Sequence, residues 1–151
     1  MEVETQVIRQ KTPLDPQSLQ LVHEILASLL SKKESMIFKV PVDYIALNVL
    51  DYPKVIKKMM DLGTVEKNLN SSIYDNVETC LDDIQLIWDN CKLYNVEDSI
   101  VYKLARKLEV YTQKLVVEKF GDQIKYGENN ESYKVIKEDI ADVEAMDEFV
   151  Y

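Results

Sequence analysis

Residues 76–95, NVETCLDDIQLIWDNCKLYN, carry the pattern that decides the architecture. Val77, Cys80, Leu81, Ile84, Ile87, Trp88 and Cys91 recur every three or four positions, the period of a helix with one buried stripe. Asn76 suits the cap of that helix, since its side-chain oxygen accepts from a first-turn amide. The run closes on Asn90-Cys91-Lys92-Leu93-Tyr94-Asn95, ahead of the turn-like Glu97-Asp98-Ser99. Asn95 thus leaves the helix with an amide that donates and accepts hydrogen bonds but never ionises. Such a group suits a neutral polar ligand, although an Asn at a helix end is more often a cap or turn residue. What sets this one apart is its companion string, Pro41-Val42-Asp43 through Asp61-Leu62-Gly63-Thr64.

Working outward, Asp15-Pro16 reads as an N-cap followed by proline at the first helical position. Leu19, Val22, Ile25, Leu26, Leu29 and Leu30 then predict a helix over about 16–32, with Lys32-Lys33 in its last turn facing the dipole. Thr64 is expected to cap a helix of about 64–71. Asp98 or Ser99 is expected to cap the last one, about 100–119, which stops at Phe120-Gly121. Between the first two lies a long stretch, 34–63, that is strongly apolar despite Pro41 and Pro53. A loop of that length and hydrophobicity is expected to fold onto the domain and to be functional. One short helix inside it, capped by Asp51, is expected to end near Lys58.

The fold class is therefore all-α: a four-helix bundle with a long apolar crossover loop between the first and second helices. Residues 1–14 read as a flexible N-terminal segment, 15–120 as the bundle and 121–151 as an acidic extension. In that extension Tyr133, Ile136, Ile140, Val143, Met146 and Phe149 recur at helical spacing and predict a further amphipathic helix.

Composition bounds the function. The chain has 151 residues and a net charge of −9, unevenly spread. Residues 1–120 hold 18 acids and 15 bases, while 121–151 hold 9 acids and 3 bases. With no basic stripe to neutralise phosphates, direct nucleic-acid binding is not expected; a basic polypeptide is attracted instead. No window approaches 18 unbroken apolar residues, so no membrane span is expected, and residues 1–12 are too polar for a signal peptide. Cys80 and Cys91 lie three helical turns apart on one face. They read as two buried thiols of a reducing compartment, with no disulfide framework or metal spacing. His23, the only histidine, has no ligand set around it. Asp82-Asp83 and Asp89 read as a solvated face and a cap, and Lys57-Lys58 is too short for an import signal. No nucleophile–base pair appears, so no enzyme, cofactor or metal is expected.

The motif order over residues 36–111 resembles one family, the bromodomains, which read acetylated lysine. The matching strings are Phe38 with Pro41-Val42-Asp43, Leu47-Asn48-Val49, Asp51-Tyr52-Pro53 and Ile56-Lys57-Lys58-Met59-Met60-Asp61-Leu62-Gly63-Thr64. Asp83-Ile84, Asn90 to Asn95 and Val101-Tyr102 follow in the same order. The resemblance implies a left-handed bundle with its pocket between the first and last interhelical loops. It implies that Asn95 donates to the acetyl carbonyl and that Tyr52 holds the same oxygen through a water. Pro41, Val42, Leu47 and Val49 would line an apolar channel with Phe38 beside the acetyl methyl, Tyr94 would line the pocket, and Val101 would be its gatekeeper. It further implies a monomeric nuclear module that binds acetylated histone tails or other acetyl-lysine proteins in chromatin and transcription regulation. The alternative is a scaffold of the same fold whose pocket is unused.

Two departures stand out. Met36-Ile37-Phe38 occupies the place where many members have Trp-Pro-Phe, so the aromatic shelf is absent and shallow sequence selectivity is expected. Met59-Met60-Asp61 replaces Pro-Met-Asp and loses a fixed φ in the loop.

Overall fold

Caps and periodicity build the helices where the local chemistry allows. The computed structural model describes residues 11–124 and residue 126. The amphipathic spacing from Tyr133 to Phe149 lies outside them, as do residues 1–10. Five α-helices follow one another: α1 (Pro16–Ser31), α2 (Tyr52–Val55), α3 (Leu62–Asn70), α4 (Val77–Tyr94) and α5 (Ile100–Phe120). Among the described residues there is no named strand, only an isolated bridge between Pro13 and Asn76. The four longer helices pack as a bundle, with α4 and α1 both against α5, and α3 against α4.

Each long helix starts on a side-chain cap. Asp15 accepts from Ser18 N at 2.8 Å, Asn76 from Thr79 N at 2.8 Å and Ser99 from Tyr102 N at 3.2 Å. The cap of α3 lies three residues before the expected Thr64. Asp61 takes that place, its carboxylate accepting the Thr64 amide at 2.9 Å and hydroxyl at 2.6 Å. Thr64 has become the donor that Asp61 needs. Lys32 does not serve the end of α1 as a last-turn cation, because α1 stops at Ser31 and Lys32 is its C-cap. Its ammonium lies 4.5 Å above the Tyr111 ring, a cation–π contact to α5.

Trp88 is fully buried at the centre, with Phe38 edge-on to it at 5.3 Å. Val22, Ile25, Leu29, Val65, Ile84, Ala105 and Leu108 surround the same core. The core continues past α5 through Ile124 and Tyr126, and α5 itself turns into a short 3-10 helix, Gly121–Gln123. At the other end, residues 11–14 are held to α4. Thr12 N donates to the Glu78 carboxylate at 2.9 Å, and Val77 N donates to Thr12 O at 2.9 Å.

Buried carboxylates inside the bundle have cationic or hydrogen-bond partners. Glu109 on α5 is 1% exposed and accepts from Lys92 at 2.7 Å, Arg106 at 2.8 Å and Gln85 at 2.6 Å, which ties it to α4. Asp83, read from sequence as solvated, is buried; it accepts from the Tyr74 hydroxyl at 2.7 Å and from Lys58 at 3.0 Å. Those partners lie 9 and 25 residues away, beyond what helix periodicity reveals.

The crossover loop differs from expectation. It opens with a 3-10 helix, Lys33–Phe38, and its short helix α2 ends at Val55 rather than near Lys58. Only part of its apolar content folds inward. Phe38, Tyr52 and Ile56 are buried and anchor it, whereas Met36, Val40, Ile45, Leu47 and Leu50 stand exposed. A backbone hydrogen bond from Gly63 N to Lys39 O at 3.1 Å pins the loop to the start of α3. A tight turn over 43–49 is closed by Leu47 N to Asp43 O at 3.0 Å and Val49 N to Tyr44 O at 2.9 Å. Asn48 has φ 57 there, a left-handed conformation that Asn tolerates better than most residues.

Candidate functional site

The site forms where the crossover loop meets the end of α4. Asn95 leaves α4 in an extended conformation, φ −101 and ψ 149, while its backbone N–H still bonds Cys91 O at 3.0 Å. Its side-chain Nδ2 donates to the same carbonyl at 2.9 Å and lies 3.6 Å from the Cys91 sulfur. One amide hydrogen is thus spent on fixing the plane of the group. Sulfur is a weak acceptor, so a carbonyl oxygen brought to that amide competes with it easily.

Cys91 also sets the opposite side. Its thiol donates to Val101 O at 3.4 Å, which joins the end of α4 to the start of α5 beside half-buried Val101. Burial raises the Cys91 thiol to about 11, with Asn95 and Lys92 pulling the other way. Cys80 is raised to about 12 by burial and by the Asp83 charge. Neither is a thiolate at neutral pH, so neither is a nucleophile there. Among the described residues no group of His, Cys, Asp and Glu is arranged to hold a metal ion.

Three tyrosines make the loop side. Tyr52, buried, has its ring edge-on to Tyr94 at 5.0 Å and stacked on Tyr44 at 6.4 Å. Burial, reinforced by Cys91, raises the Tyr52 hydroxyl above its ordinary value, so it stays protonated and can donate. The Tyr94 hydroxyl donates to Asp51 at 2.5 Å, and that bond is the main reason its own pKa is raised. Asp51 stands at the N-cap of α2 yet makes no side-chain cap bond there. Below, Asn90 Nδ2 donates to Lys58 O at 2.7 Å and holds the segment after α2 against α4.

The structure therefore brings together Tyr52, Tyr94 and Asn95 at one end of the bundle, with Val101 joined to them through Cys91. Val42 and Val49 are half-buried on the turn that carries Tyr44, whereas Pro41 and Leu47 are exposed on it. Phe38 sits deeper, against Trp88 in the core. Asp51, Tyr44 and Cys91 were not anticipated as parts of the site. Asp51 was read as a cap and Cys91 as a packed thiol; only Tyr94, 43 residues away, reveals what Asp51 holds.

A family model for the bromodomain matches residues 22–107. A bromodomain-containing protein of Schizosaccharomyces pombe is 34% identical over 100 residues, 66% of this chain and 14% of that protein. The SWR1 complex bromodomain subunit bdf1 of the same yeast is 44% identical over 92 residues, 60% of this chain and 16% of its own length. This chain thus spans less than a fifth of either relative. The second bromodomain of Candida albicans Bdf1, solved with a bound imidazopyridine, superposes with a TM-score of 0.65 at 31% identity, covering 68% of this chain and 99% of that one. Family model and fold converge: this chain belongs to the bromodomain family, whose fold is a left-handed four-helix bundle.

Proposed function

We propose that the site at the end of α4 binds acetyl-lysine, with Asn95 as the donor to the acetyl carbonyl and Tyr52 holding the same oxygen through a water. The observation that carries this is the Asn95 amide, fixed in plane on Cys91 O next to a buried tyrosine that stays protonated. Acetylation removes the lysine charge and leaves an apolar stem ending in one amide. A site with a fixed neutral donor and apolar walls accepts that group. An ammonium placed there loses its hydration without gaining a carboxylate partner, which costs several kcal/mol. The assigned wall is Val42, Leu47 and Val49 with Pro41 and Phe38 behind, Tyr94 at the side and Val101 as gatekeeper.

The module acts by binding and needs no cofactor. Its partners are acetylated histone tails or other acetyl-lysine proteins, it works as a monomer, and its setting is the nucleus. Relatives named as the SWR1 complex bromodomain subunit and as a transcription factor support that setting. Residues 15–120 form the functional bundle, with Ile124 and Tyr126 completing its core.

Calorimetric titration with one histone-like peptide, acetylated and unmodified, tests the proposal. Wild type is expected to bind the acetylated form alone, in the range of about 10–100 μM for a single-anchor contact. Asn95→Ala should lose that binding while keeping its melting temperature. Unchanged affinity in Asn95→Ala sinks the assignment.

A further inference from the structure

We propose that the outward face of α5 seats the chain's own C-terminal part, with residues 133–149 lying along it as an amphipathic helix. The observation that carries this is Val110. It is 2% exposed, yet it stands about 200° round the helix from Leu108 and takes no part in the core to which Leu104, Ala105, Leu108 and Leu115 belong. That core is shared with α1 and α4, so neither of them shields Val110 from water. Gln113, one turn on, is 6% exposed, and its Oε1 has no hydrogen-bond partner among the described residues. Val117, two turns on from Val110 along the same face, is 52% exposed, so the cover thins toward the end of α5.

The chain itself returns to this level. Gly121, with φ 60, turns it out of α5, and Ile124 and Tyr126 come back to the core. Burial, and after it the charges of Glu109 and Asp89, raise the Tyr126 hydroxyl, so Tyr126 lies beside Glu109, about three turns back from Phe120. The chain beyond Tyr126 starts from there. A helix over 133–149 is about 25 Å long, and the face from Lys103 to Val117 is about 21 Å, so the one can lie along the other.

Charge favours the same occupant. Residues 103–117 hold four bases and one acid, and that acid, Glu109, turns inward to Lys92 and Gln85 on α4. Lys107 reaches Glu34 and Arg106 reaches Glu109, while Lys103 and Lys114 stand exposed on either side of Val110. Residues 133–149 hold six acids and two bases around Ile136, Ile140 and Val143, which share helical spacing. Opposite charge and matched apolar spacing fit the two together. A second copy would set the same cations against one another. A separate acidic partner would compete with a segment tethered at Tyr126, whose effective concentration is on the order of millimolar.

The test follows the full chain by hydrogen exchange and NMR. Amides of 136–147 should exchange at least about tenfold more slowly than in a random coil, at a rate independent of protein concentration. Ile136→Ser with Ile140→Ser should remove that protection and shift the Val110 methyl signals while leaving those of Val65 on α3 in place. Lys103→Glu with Lys114→Glu should lower the protection about three- to tenfold at low salt, with a smaller effect as salt rises. A nitroxide on Ala145→Cys, the native thiols being buried, should broaden Val110 and Val117 and spare Val65. Random-coil exchange over 136–147 overturns the proposal, and so does protection that survives both sets of substitutions. Protection that appears only as concentration rises overturns it by making a second copy the seat of the segment. Broadening that leaves Val110 untouched overturns it by putting the segment elsewhere.

Discussion

The Tyr94 hydroxyl and the Asp51 carboxylate meet at 2.5 Å across 43 residues of chain, and through them the helix that carries Asn95 holds the loop that carries Tyr52. Asp51, the N-cap of α2, has a helical backbone conformation and makes no side-chain cap hydrogen bond there. A hydrogen bond to a charged acceptor is stronger than a neutral one, and solvent at exposed Asp51 screens part of that gain.

Tyr94→Phe keeps the ring against Tyr52 and removes only this brace. Binding of an acetylated peptide should weaken about three- to tenfold, and Asp51→Asn should do less because the amide oxygen still accepts. In a double-mutant cycle the two losses should be strongly non-additive. Additive losses would mean that the two residues act separately.

Gly63→Ala should destabilise the bundle by about 1–3 kcal/mol, the usual cost of forcing an extra group into packed structure. A Cβ at this position would lie 2.5 Å from Lys39 O, a backbone atom that can move only by moving the loop, and the Gly63 N to Lys39 O bond would stretch. Denaturant unfolding checks the stability, and hydrogen exchange at the Gly63 position checks the bond. An unchanged midpoint would show that the loop yields freely.

How much of this was legible in sequence divides along the range of the interactions. α1, α4 and α5 were legible because Asp15, Asn76 and Ser99 cap them locally and their apolar stripes repeat. The start of α3 was misplaced because Asp61 and Thr64 are both good caps and only the structure shows which donates to the other. The crossover loop was legible as a long apolar segment but not in its burial. A nearly continuous apolar run does not tell Phe38, Tyr52 and Ile56, which go inward, from Leu47 and Leu50, which stay out. The place of Asn95 at the exit of α4 was legible from the helix pattern, while its role in the site rests on the resemblance. Asp51, which accepts from Tyr94, and Tyr44, which stacks on Tyr52, were not legible, because contacts made by the loop have no sequence period.

Lys107 and Glu34 join α5 to the 3-10 helix at 3.2 Å with 5% and 4% of each side chain exposed. Lys107→Met strands a buried carboxylate and should cost about 3–5 kcal/mol, whereas adding Glu34→Leu to it should recover much of the loss. Urea denaturation of the two variants checks this. A double variant less stable than the single would show that the charges themselves are needed.

The thiols give a stability edge at high pH. Cys91 is raised from 9.0 to about 11 and Cys80 from 9.0 to about 12, burial being the first cause in both. Below pH 9 folded and unfolded chains both keep these protons, so the thiols do not alter stability. Between pH 9 and about 11–12 the unfolded chain releases protons that the folded chain retains, so stability falls as pH rises. The raised Tyr52 and Tyr94 hydroxyls steepen that fall above pH 10. Melting temperature should therefore be insensitive to the thiols from pH 6 to 8.5 and decline above 9. Cys80→Ala should be less stable at pH 7 but show a shallower decline. A decline of unchanged slope would remove the thiols as its cause.

The most direct test of the central claim watches the Asn95 side chain itself. In a nitrogen-15-labelled sample, the Nδ2 protons of Asn95 are followed by NMR as one peptide is added, first unmodified and then acetylated at a single lysine. Both protons should shift, the one that meets the acetyl oxygen most, and they should move only with the acetylated peptide, saturating at the affinity that calorimetry gives. Asn95 signals that stay still while the acetylated peptide binds, or that move equally with the unmodified one, would contradict the claim that Asn95 reads the acetyl group.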